Sequence, residues 1–449
     1  MLDLKYAFKS NVSRSESVSC WCPPWQSIVQ FGGIPPSEEL QTVLNEGGGS
    51  GKLYYLTVND IKSGIDAVEK SRIEKKRKRD KRTNGLFPSL PPSYLPAFSA
   101  TKKKKVSLLD GEDITLKWRV VPGFSPRDRR GHAFIYCRES LYLIGGCYWA
   151  HGNTMARADM VFNTKTLEWR KIDGILLPHA QAAVSVSNCR NSDGEVAVYF
   201  FGGVRSPQPF SNEFYRIFLP SRTSESLPQM GDVPPPQLKG FIVCDVSYEV
   251  SATESSKGKT SEGYLYLGDG LCESDKTQPA LRMYNLNTGM WRKIALAPKL
   301  MSGQVISRCY DAISGGLKRF ILFGAIGQVS SDGRNGKKMT FKKKPSYVFS
   351  FDAANKSWKK QKATCIRGIC AHAAVQLPSS GKNTSPEKSI IRDGIVSISV
   401  GGNQDVFHIS SRRIGEPMGW VCLFAPTPVP LRDSAAYGYK YYKKQKKIC

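Results

Sequence analysis

Five histidines, twelve cysteines and several dense lysine–arginine runs are the residues in this 449-residue chain whose types could do chemistry. His132, His179 and His372 stand at corresponding places ahead of apolar, β-prone runs, whereas His151 and His408 are isolated. Imidazoles bind metal when several ligands converge, and neither these histidines nor the cysteine spacing supplies a ligand cluster. The cysteines run from Cys20 to Cys449 without one C-x-x-C pair. They are expected to be reduced thiols, buried in strands as small hydrophobes. No Gly-x-Ser-x-Gly elbow, H-E-x-x-H pair or phosphate-binding glycine loop occurs. The sequence therefore predicts no catalytic residue, no metal and no cofactor.

The basic residues are the second chemical feature. Lys+Arg 65 against Asp+Glu 38 gives a formal charge of +27. Residues 62–117 contribute a net +8, so the excess is spread over the whole chain. Such a balance favours contact with a polyanion and also aids solubility. The densest run, Lys75, Lys76, Arg77, Lys78, Arg79, Lys81 and Arg82, has the composition of a nuclear import signal, in which extended backbone presents Lys and Arg to an acidic receptor. Further candidates for polyanion contact are Lys102, Lys103, Lys104 and Lys105, then Lys342, Lys343 and Lys344, and the tail residues Lys443, Lys444, Lys446 and Lys447. Tyrosines are interleaved with lysines in that tail, residues 423–449, where they could stack on unpaired bases.

These residues must be positioned by a repeat. Apolar runs end in a glycine pair or its remnant at six places: Gly32-Gly33, Gly145-Gly146, Gly202-Gly203, Gly268-Asp269, Gly324-Ala325 and Gly401-Gly402. A strand followed by two glycines must end in a turn where φ is positive or a side chain would clash. A second pattern follows in three units, Phe162 to Trp169, Tyr284 to Trp291 and Phe351 to Trp358, each an aromatic, a polar turn and a Trp seven positions on. A hairpin there would set aromatic and Trp on neighbouring strands, filling the gap between adjacent sheets. The third unit has no Trp, the sixth keeps Trp420 after a longer turn, and the first is split so that Trp118 follows a long insertion.

The unit resembles the kelch repeat, with Arg130-Gly131-His132-Ala133, Gly145-Gly146, Phe162 and Trp169 as its best match. The resemblance implies an all-β fold, a single kelch-type β-propeller of about six four-stranded blades. Its units lie near 13–121, 128–172, 178–220, 237–294, 299–360 and 366–422, together a propeller over 1–422. Residues Leu2 to Phe8 are placed to add a strand to the last blade. The insertion at 62–115, basic and proline-rich, is expected to hold a short helix at Ile65–Ile73 and otherwise to be mobile.

Propellers carry loops of variable length on two faces and commonly serve as rigid binding platforms. The expectation is an intracellular, nuclear interaction scaffold without catalytic activity, whose partners are other proteins and an import receptor. Met1 to Arg14 carries Asp3 and lacks an apolar stretch, so no secretory leader is expected, and no run reaches the ~18 apolar residues of a membrane span. The alternative is a non-catalytic subunit of a nucleic-acid-processing complex, similar to the kelch subunit of the immune-receptor recombinase. A remote third is a copper radical oxidase similar to galactose oxidase, which would need histidines and tyrosines converging on copper.

Overall fold

The computed structural model describes, with gaps, residues 2–85 and 114–296, and strand segments between 309 and 426. Alternating and continuous apolar runs form strands throughout, and the strands assemble into several antiparallel four-stranded sheets. The first sheet takes Val18–Cys22, Ser27–Phe31, Leu53–Thr57 and Arg119–Val120 in chain order. The second takes Ala133–Cys137, Ser140–Ile144, Met160–Asn163 and Glu168–Lys171. The third takes Ala183–Arg190, Val196–Phe201, Phe214–Leu219 and Ser224–Ser226.

The fourth sheet holds Phe241–Val246, Gly263–Gly268, Ala280–Asn285 and Met290–Leu296, with Met230–Gly231 added parallel to its outer strand. The fifth holds Cys309–Ser314, Arg319–Ala325, Pro345–Asp352 and Ser357–Arg367. The sixth joins the two ends of the described chain. Ala373–Gln376, Ser397–Val400 and Trp420–Pro426 are followed by Leu2–Ser10, antiparallel to Trp420–Pro426, and then by Thr115–Leu116. The expected strand from the chain's first residues is therefore present.

First strands of successive sheets lie side by side: first with second, third with fourth, fourth with fifth, fifth with sixth, and sixth with first. The second and third sheets meet through one apolar cluster containing Ile135, Tyr142, Ile144, Val198, Phe200 and Ile217. This succession returns to its start, a β-propeller-like arrangement.

The aromatic–Trp hairpins behave as their spacing requires. Phe162 pairs with Trp169, Tyr284 with Trp291 and Phe351 with Trp358, directly across neighbouring strands. Ring centroids lie 5.1, 4.7 and 4.8 Å apart. Each pair also fills a gap between sheets: Trp169 meets Phe31 of the first sheet, and Trp291 meets Phe201 and Phe214 of the third. Burying such a ring contributes ~1.5–3 kcal/mol, so these pairs are main contributors to sheet-to-sheet cohesion. Asn163 Oδ1 accepts the amides of Lys165 and Thr166, and Asn285 Oδ1 accepts those of Asn287 and Thr288. These bonds close the first two turns, whose fifth residues, Leu167 and Gly289, have positive φ, as does Lys356 at the same place in the third hairpin.

One element departs from the sequence reading. Residues Val58–Gly85 form a single 28-residue helix, so the basic run is helical where an extended, mobile segment was expected. Thr57 Oγ1 accepts the Asp60 amide and the Asp60 carboxylate accepts the Thr57 amide, a reciprocal cap that fixes the helix start. Lys and Arg are good helix formers, so the nucleated helix continues through them.

Candidate functional site

The glycine pairs form the joints between sheets. Both residues of Gly32-Gly33, Gly145-Gly146 and Gly202-Gly203 have positive φ. The second glycine of each pair donates its amide to a carbonyl just ahead of the next sheet: Gly33 to Arg129 at 2.9 Å, Gly146 to His179 at 2.8 Å, and Gly203 to Gln237 at 2.8 Å. A Cβ at Gly203 would stand 2.7 Å from the Ala180 carbonyl oxygen, so the backbones approach too closely for any side chain. Gly268 ends its strand, while Gly324 remains inside a ladder opposite Tyr310. Gly401 and Gly402 lie outside the described residues.

This bonding reassigns the histidines. Arg129, His179 and Gln237 occupy the equivalent position, because each accepts the preceding sheet's glycine amide. The following residues agree, since Arg130 bridges Cys147 as Ala180 bridges Val204. His132 therefore corresponds to Ala182, and His132 and His179 are not repeat-equivalent as the sequence reading had them. His372 and His151 lie outside the described residues, and His408 sits in the strand Val406–His408.

Each side chain at the joint works on its neighbours. Arg129 donates from Nη1 to the carbonyls of Gly145 and Ala158, both at 3.1 Å, and stacks over Tyr148. Burial pulls its guanidinium below the ordinary value, opposed by Tyr148, Asp159 and Asp128. Asp159 accepts the Gly145 amide at 2.7 Å. Buried Arg14 and Asp128 pair at 2.7 Å and tie the starts of the first two units together. His179 Nε2 stands 2.7 Å from Glu213, which also pairs with Arg205. Gln237 Oε1 accepts the Gly270 amide at 2.6 Å. In the fourth sheet Asp269 replaces the second glycine, and its carboxylate accepts the Ala280 amide and pairs with Arg282. Arg129, Asp159, Gln237 and Asp269 thus bond to backbone, whereas Arg14 with Asp128 and His179 with Glu213 pair side chain to side chain.

His132 is fully buried, edge-on to Phe31 at 5.8 Å between centroids. Burial first, and the nearby Arg129 second, push its pKa down to about 3, so the ring is neutral near pH 7. Cys22, Cys137 and Cys147 are buried, and burial lifts the Cys22 thiol to about 11. Cys137 donates to the Leu219 carbonyl and Cys147 to that of Arg130. Among the described residues no group of three His, Cys, Asp or Glu is arranged to hold a metal ion.

The second candidate is the helix. Val58, Ile61, Ile65 and Val68 are buried with Tyr6, Phe8, Ile28, Leu56, Leu116, Trp118, Val421 and Leu423, where the first and sixth sheets meet. Asn11 brackets the Trp118 backbone, accepting its amide at 2.8 Å. Tyr6 donates to Glu69 at 3.1 Å, and Arg72 lies over the Tyr6 ring. Beyond Arg72 the contacts with the sheets stop: Ile73 is 52% exposed, and Lys75, Lys76, Arg77 and Lys78 are exposed. Arg79, Lys81 and Arg82 continue the same helix. Lys102–Lys105, Lys342–Lys344, Lys443, Lys444, Lys446 and Lys447 lie outside the described residues. No described helix is long and apolar enough to cross a membrane.

No family model and no curated protein matches this chain. Among solved structures, the one titled "Structure of YjhT" is similar, at 12% identity and a TM-score of 0.50, covering 92% of this chain and 96% of that one. At that identity the likeness is one of fold alone, and it agrees with the β-propeller-like succession of sheets.

Proposed function

We infer that the six sheets of four or more strands are the blades of one kelch-type propeller, and that it serves as a nuclear, intracellular protein-interaction scaffold without catalytic activity. The carrying observation is the joint: Gly33, Gly146 and Gly203 bond to Arg129, His179 and Gln237, and the side chains there are engaged, Arg129 with backbone carbonyls and His179 with Glu213. A frame so fixed leaves recognition to the connecting loops and to the helix Val58–Gly85. Affinity purification of the tagged chain from nuclease-treated nuclear extract tests this reading. A stoichiometric protein partner is expected, and its absence from both nuclear and cytoplasmic extracts would count against a scaffold. Import through Lys75–Arg82 requires that part of the helix to unwind, since receptors read such runs extended. Replacing Lys75–Arg79 by alanine is expected to move the protein out of the nucleus.

A second reading, a non-catalytic subunit of a nucleic-acid-processing complex, is favoured by the exposed basic half of the helix. It predicts partners whose co-purification is lost on nuclease treatment.

A further inference from the structure

The helix Val58–Gly85 divides into a root and an arm. Its root, through Val68, is packed against the first and sixth sheets, and Glu69 and Arg72 at the start of the arm still touch Tyr6. Residues 69–85 carry no buried side chain among those described, and at 1.5 Å per residue they extend about 25 Å. From Glu69 to Gly85 there are nine Lys or Arg against Glu69, Glu74 and Asp80, a net +6. At 100° per residue these cations fall on all sides of the rod rather than on one face. Over about 25 Å that is one net positive charge per ~4 Å, opposite in sign to the one negative charge per ≈ 1.7 Å of duplex DNA.

The chemistry of the arm selects its partner. An anionic membrane requires an apolar face opposite the basic one, and past Val68 only Ile73 is apolar. Single strands require aromatic platforms, and residues 69–85 contain no aromatic. An import receptor would take this run only after unwinding it, so it does not account for the helical form. A helix about 10 Å across fits the major groove, about 12 Å wide, and Lys and Arg on several sides can meet the phosphates of both walls.

We propose that residues 69–85 are a rigid arm that docks on duplex nucleic acid through its phosphates, without reading base sequence. The proposal stands apart from the scaffold reading, since a protein-binding platform could lack it entirely. It also uses different residues from the lysine runs outside the described chain.

The test is fluorescence anisotropy of the full-length protein on a mixed-sequence DNA duplex of about two helical turns, from about 50 to 200 mM salt. One variant combines Lys75→Gln, Lys76→Gln, Arg77→Gln, Lys78→Gln and Arg79→Gln, all helix-compatible changes. A second, Ile73→Pro, keeps every charge and breaks the arm from its root. The first is expected to weaken binding at least tenfold at ~0.1 M salt and to flatten the log–log salt slope by ~3–4. The second is expected to weaken binding severalfold, and both should unfold in urea at the wild-type midpoint. An unchanged salt slope in the glutamine variant would overturn the arm as the contact. Full affinity in Ile73→Pro would overturn the rigid helix. Loss of binding to phosphatidylserine vesicles with duplex binding intact would assign the arm to membranes and overturn the proposal.

Discussion

Lowering the pH should destabilise this protein through His132, and the size of the effect follows from its burial. His132 has its pKa depressed from 6.5 to about 3 by burial and by Arg129. Between those values the unfolded chain binds a proton that the folded chain refuses, so stability falls as pH falls through 6.5. At pH 5 the gap is about 1.5 units below the unfolded pKa, which at 1.36 kcal/mol per unit costs ~2 kcal/mol. His179 is also depressed by burial, though Glu213 opposes the shift, and it adds a loss of the same sign. Urea denaturation at pH 7.5, 6 and 5, on wild type and His132→Asn, separates the two. The variant is less stable at pH 7.5 because the ring contact with Phe31 is gone. Its further loss down to pH 5 should be smaller than wild type's by ~2 kcal/mol. Parallel loss in both proteins would refute the argument that His132 is buried neutral.

Five further substitutions probe the joints and hairpins by the same assay at pH 7.5. Gly203→Ala must tolerate φ +95° and a Cβ 2.7 Å from a carbonyl, whereas Gly123→Ala meets φ +103° with nothing within 4 Å. The first is expected to cost ~2–5 kcal/mol and the second ~1–2, so equal costs would dismiss the close approach. Asn163→Ala removes two turn bonds and should cost ~1 kcal/mol, while Leu167→Gly, relieved of its positive φ, should stay within ~1 kcal/mol of wild type. Trp291→Ala empties the gap bounded by Phe201, Phe214 and Tyr284 and should cost ~3–5 kcal/mol.

The sheets were legible in the sequence because their landmarks are local and strict. A glycine pair is demanded by positive φ and backbone contact, and an aromatic seven residues before a Trp by cross-strand pairing. The equivalence of Arg129, His179 and Gln237 was hidden because their shared task is done by a carbonyl, which constrains no side chain. Matching histidine to histidine therefore misled. The helix was read too short at both ends. Its cap at Thr57–Asp60 lies ahead of the insertion that begins at 62, and charge density obscured the helix propensity of Lys and Arg. Thr115–Leu116, only two residues long, carries no periodicity that could announce it as a strand of the sixth sheet.

The sheets close on themselves through Leu2–Ser10, and the register of that strand offers a direct test. Ala7 stands opposite native Cys422 in the pairing of Leu2–Ser10 with Trp420–Pro426. Ala7→Cys, treated with a short bifunctional thiol reagent and mapped by mass spectrometry of its peptides, is expected to link residue 7 to Cys422 in the monomer. A residue 7 thiol that reacts fully yet links to other cysteines, or to none, would contradict the closed ring.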